Sequence, residues 1–89
     1  MHTLLNGVTT NTTSTTQNVN GLHTITCKGL KDYKQYIYFY ISVDNTHFVL
    51  FKTITLGQEV FNVYVGHSHI YCKFETELDQ NDPVFVHIT

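Results

Sequence analysis

The 89-residue sequence contains no alanine, no arginine and no tryptophan, and only one methionine, one proline and two cysteines. Alanine is the best helix former, and no segment carries a 3.6-residue apolar period long enough for a helix. With no arginine, five lysines and seven acids, the formal net charge is −2. A protein that binds nucleic acid needs a basic field against the phosphates, so the charge excludes nucleic acid as the main partner. Apolar runs are only a few residues long, and Met1–Asn6 has neither the basic region nor the apolar stretch of a secretory leader. We therefore expect no membrane association and no cleaved export signal. Cys27 and Cys72 lie 45 residues apart, without metal-knuckle spacing and far below the cysteine density of a disulfide scaffold. The expectation is two free, buried thiols and no cofactor.

What the chain does have is 14 threonines, six tyrosines, six phenylalanines and many valines and asparagines. These β-branched and aromatic residues fit a pleated, half-buried surface, so the composition reads as all-β. A length of 89 residues suits one small core. Residues 1–20 are rich in Thr, Asn and Ser and carry no charged Lys, Asp or Glu. They are expected to form an extended N-terminal arm, either frayed or added as a strand to a neighbouring sheet. The domain proper is expected over residues 21–89, opening at the Asn20–Gly21 turn signal.

Within that domain short strands recur about every 10 residues. Leu22–Lys28 alternates, with His23, Ile25 and Cys27 on one face. Gln35–Val43 places Ile37, Phe39, Ile41 and Val43 toward a core and Tyr36, Tyr38 and Tyr40 on the opposite face. Asp44-Asn45-Thr46 reads as a hairpin turn leading into a strand over Phe48–Thr55. Gly57 and Gly66 read as breaks around Glu59–Val65, and His69–Thr76 groups Ile70, Cys72 and Phe74. Asp79–Pro83 reads as the last turn before Val84, Val86 and Ile88. Six or seven antiparallel strands of this spacing predict an antiparallel β-sandwich.

No catalytic frame is present: there is no nucleophile elbow, phosphate loop or His-Glu-x-x-His helix. The sequence is read as non-enzymatic. Glu75, Glu77, Asp79 and Asp82 read as a solvated face. His67-Ser68-His69 alone has ligand spacing, because i and i+2 on a strand project to one side. Two ligands are too few, so no metal is assigned, and His67 and His69 remain minor candidates. Asn11-Thr12-Thr13 is a glycosylation frame with no export signal to use it. The tyrosine row is the clearest contact feature. Tyr36, Tyr38 and Tyr40 suit a protein interface, internal cover by the arm, or stacking on a sugar or base. In the arm, Thr9, Thr10, Thr12, Thr13 and Thr15 are the candidate pairing residues.

The Thr-rich arm, Lys28-Gly29, Ile41-Ser-Val-Asp-Asn-Thr-His-Phe-Val-Leu50, Thr55-Leu-Gly57 and Tyr71-Cys-Lys73 together resemble small immunoglobulin-like virion proteins of tailed bacteriophages. There the first motif reads Ser-x-Asp-Gly-x-x-Trp or Phe, and a Tyr-x-Arg lies on the penultimate strand. Here Ser42, Asp44 and Phe48 match, Asn45 replaces Gly and Lys73 replaces Arg. The resemblance implies a virion structural protein: a capsid decoration or cement protein, or a head-fibre base. Its partners would be capsid or other virion proteins, with a homo-oligomer, a trimer among them, as the working unit. A small neck or tail component, or a module binding carbohydrate or a host surface, is the alternative.

Overall fold

The computed structural model describes residues 2–31, 35–55 and 57–89, with the side chains of 67–69 excepted. The chain is all-β and antiparallel: β1 His2–Thr10, β2 Gln17–Lys28, β3 Tyr36–Ser42, β4 Val49–Ile54, β5 Gln58–Glu77 and β6 Asp79–Ile88. These strands form one sheet in the order β1-β6-β2-β5-β3-β4.

The sheet folds over along β5. The first part of β5 pairs with β2, from Gln58 opposite Lys28 to Val65 opposite Gly21. Its last seven residues pair with β3, from Tyr71 opposite Ser42 to Glu77 opposite Tyr36. Phe39 of β3 nonetheless stands 6.0 Å from Phe61 in the first part of β5, a contact that only a folded sheet allows. The result is sandwich-like, with one core between the two halves. Ile25, Ile37, Phe39, Ile54, Cys72, Phe74, Val84, Val86 and Ile88 fill it, and the stacked Phe39 and Phe74 rings, 4.8 Å apart, lie at its centre. Cys27 and Cys72 are buried and free.

The expected N-terminal arm is corrected by the pairing. Residues 2–10 are β1, paired with β6 of the same chain from His2 opposite Ile88 to Thr10 opposite Asp79. Leu5 is 1% exposed and belongs to the core. The boundary expected at residue 20 falls inside β2. The physical reason is that β6 offers a strand edge and that Leu5 enters the core with Leu4 and Val8 packed against it, so an intrachain partner satisfies the backbone of this segment.

Three turn signals also act differently from the expectation. Asn20–Gly21 marks a register shift inside β2, with Gly21 at φ +77, so the left-handed residue serves a bulge rather than a reversal. Gly66 does not end its strand. The ladder jumps there, from Val65 opposite Gly21 to Ile70 opposite Val19, as β5 passes from one half of the sheet to the other. Asp79–Pro83 lies within β6. Pro83 is tolerated because it lies past the end of the β2–β6 ladder, which stops at Lys28 opposite Phe85, and at a register shift of the β1–β6 ladder, so no paired position requires its missing N–H. The Asp44-Asn45-Thr46 turn does connect β3 to β4, with Asn45 left-handed at φ 61.

Candidate functional site

Strict alternation in β3 places Ile37 and Phe39 in the core and Tyr36, Tyr38 and Tyr40 on the outer face, where all three are half-buried. Tyr36 and Tyr38 stack with ring centres 5.9 Å apart, whereas Tyr38 and Tyr40 stand 6.5 Å apart and tilted by 55°. This tilted pair is the wedge of the site.

The register across β3 fixes the neighbours of each ring. On β5, Glu77 lies opposite Tyr36, Glu75 opposite Tyr38 and Lys73 opposite Tyr40; on β4, Thr53 lies opposite Tyr38 and Leu50 opposite Tyr40. Beyond β5, Thr13 bridges to Glu75. Tyr38 donates its hydroxyl to Glu77 Oε2 at 2.7 Å. That bond, with desolvation and the carboxylate's charge behind it, pushes the Tyr38 phenol up to about 12. Desolvation first, then the charge of Glu75 and a hydrogen bond to it, raises Tyr40 as well.

Two of the predicted features converge here. Asn11, Thr12, Thr13, Tyr38, Tyr40, Glu75, Thr76 and Glu77 line an open groove of about 380 Å³. The threonine segment reaches it because its backbone continues past β1 along β5. Ser14 donates its N–H to the Phe74 carbonyl at 2.8 Å, and Thr76 donates its N–H to the Thr12 carbonyl at 2.9 Å. The buried Thr76 hydroxyl accepts the Thr12 N–H at 2.8 Å and donates to the Thr10 carbonyl at 3.0 Å. Thr12 and Thr13 therefore join the tyrosines in one site, while Thr9, Thr10 and Thr15 do not line it. Thr9 and Thr10 lie in β1, which pairs with β6, and Thr12 and Thr13 pair with β5 of the same chain.

The two short motifs behind the virion-protein resemblance also meet at this face. Lys73 Nζ lies 4.5 Å from the centre of the Phe48 ring and 5.6 Å from that of Tyr40, and 3.6 Å from Glu75 Oε1. In the hairpin turn, Asp44 Oδ1 accepts the N–H groups of Thr46 and His47 and the Ser42 hydroxyl at 2.8–2.9 Å. Asp44 Oδ2 pairs with His47 Nδ1 at 2.8 Å. The His47 ring first, then these N–H groups and the Ser42 hydroxyl, hold the Asp44 carboxyl well below its usual range. That geometry presents Phe48 to Lys73. Beside it is an apolar groove of about 400 Å³ lined by Ile41, Val43, Val49 and Ile70, with Asp44 and His47 at its rim. No family model, curated protein or solved structure matches the chain.

Other expectations are placed as follows. Among the described residues no three His, Cys, Asp or Glu side chains converge on a metal position. The His67 and His69 side chains lie outside the described residues. Burial pushes both thiols up to about 12, with the nearby Glu59 charge adding at Cys27, which leaves them protonated and unreactive at neutral pH. Sequence reasoning missed Glu75 and Glu77 as site residues by reading them as a solvated face. Their signal was alternation with Phe74 and Thr76, which puts them beside the tyrosine row once β5 pairs with β3. Val43, expected in the core, is 75% exposed, because the strand ends at Ser42.

Proposed function

We propose that this chain is a non-enzymatic structural protein of a virus particle, of the capsid-decoration or head-fibre-base kind, present in several copies and docked on a protein lattice. The observation that carries this reading is the outer face of β3, where three tyrosines stand in a row between Glu75, Glu77 and Lys73 on one side and Leu50 and Thr53 on the other. Aromatic anchors set in a rim of polar groups are the anatomy of a protein contact surface. The rings are held in place by stacking and by the Tyr38–Glu77 bond, so little side-chain entropy is lost on docking. The sequence resemblance supplies the setting. The docking role rests on this face and no longer on a free arm, because residues 2–10 are engaged in the chain's own sheet.

The test is association of the tagged full chain with purified particles from its source, by sedimentation and by mass spectrometry of the pellet. The wild-type chain is expected in the pellet at a fixed copy number per particle, and a Tyr36→Ser, Tyr38→Ser, Tyr40→Ser variant that folds normally by circular dichroism is expected in the supernatant. A wild-type chain that stays in the supernatant overturns the proposal.

A further inference from the structure

From the same face, and resting on the docking reading above, we infer that the Tyr38–Tyr40 wedge receives an arginine side chain of the partner protein. Three features of the groove select a guanidinium. The Tyr38 and Tyr40 rings, half-buried and tilted 55° to each other with centres 6.5 Å apart, give the groove aromatic surface against which a planar cation can lie. Glu75 and Glu77 stand beside those rings on the adjacent strand and project to the same side, in position to accept the forked N–H groups of an arginine. Among the described residues the cation at this groove is Lys73, and it is engaged: it is held over Phe48 and Tyr40 and lies near Glu75, while Glu77 has the Tyr38 hydroxyl as its contact. Among the described residues the two acids exceed the one lysine, so their net charge is negative and its complement is positive.

Thr12, Thr13 and Asn11 on the far wall add hydroxyl and amide groups suited to the backbone on either side of that arginine. The chain itself contains no arginine, so the ligand side chain belongs to a different protein and not to a second copy.

The experiment is a titration of the isotope-labelled full chain, followed by backbone amide NMR at low ionic strength. The probes are the blocked peptide Gly-Arg-Thr-Arg-Gly and its Lys and Gln counterparts. Expected are shifts at Tyr38, Tyr40, Glu75 and Glu77 with the arginine peptide, affinity weaker by roughly tenfold or more with lysine, and no binding with glutamine. A Glu75→Gln, Glu77→Gln variant is expected to lose the interaction, and added salt to weaken it. Binding of the arginine peptide elsewhere, or no binding at all, overturns the inference, as do shifts at this groove with cellohexaose in place of the peptide.

The two proposals fail separately. If particles retain the Glu75→Gln, Glu77→Gln variant but release Tyr38→Ser, Tyr40→Ser, docking stands and the arginine is wrong. If the arginine peptide binds the groove while the wild-type chain ignores particles, the virion setting is wrong and the arginine site stands.

Discussion

At the scale of single residues, two glycines with left-handed backbone separate conformational need from space. Gly21 has φ +77 with open space around a would-be Cβ, whereas Gly29 has φ +94 and a Cβ there would run into the Pro83 carbonyl. Gly21→Ala is therefore expected to lower stability by about 1 kcal/mol, the cost of the left-handed conformation alone. Gly29→Ala adds a backbone clash, so a loss of more than about 2 kcal/mol is expected. Urea denaturation of the two variants side by side checks the difference. Equal losses would show that β6 yields at Pro83.

The buried thiols make a second residue-scale prediction. Their folded-state values are raised to about 12 from the ordinary 9.0, so the unfolded chain releases these protons first. Stability from this source is complete below the ordinary value and is lost as pH rises from there toward 12. Near pH 10 the loss is about 1.4 kcal/mol for each thiol. The urea midpoint followed from neutral to alkaline pH measures it, and Cys27→Val with Cys72→Val should flatten the alkaline limb.

At the scale of elements, β1 is the segment whose role differs most from its appearance. Its threonines and asparagines resemble a solvated tail, yet Leu5 is fully buried and β6 is its partner. Leu5→Ala is expected to destabilise the domain by about 2–5 kcal/mol, as for other buried leucines, measured by thermal or urea unfolding. Under the arm reading the same substitution would leave stability unchanged. Alternation made β3 and the last half of β6 legible in the sequence: Ile37, Phe39, Val84, Val86 and Ile88 are all buried as their spacing required. The place of β1 was not legible, because Leu4, Leu5 and Val8 among polar residues do not alternate, and its partner strand lies at the other end of the chain. The candidate site divides in the same way. The tyrosine row follows from local alternation, whereas the meeting of Thr12 and Thr13 with Glu75 depends on a ladder between residues some 60 positions apart, which no short window contains.

At the scale of the whole molecule, the fold is a single sheet turned over its longest strand, with β5 shared between the two halves. The missing helix formers and the Thr and Tyr excess describe that sheet correctly. They do not describe where it folds, because Gly66 looks like a strand end in one dimension and acts as a register jump in three.

The pairing of β1 with β6 has a mechanical consequence. Because His2 lies opposite Ile88, a load pulling these two residues apart opens the antiparallel ladder like a zipper, a few hydrogen bonds at a time. The same ladder pulled between His2 and Asp79, which lies at its far end opposite Thr10, is loaded in shear, with all its bonds strained together. Single-molecule stretching with handles at residues 2 and 88, then at 2 and 79, is expected to give the lower rupture force for the first pair. A part anchored to a surface by its tyrosine face and tugged at its two ends would thus yield first at β1, leaving the β3–β5 grip in place.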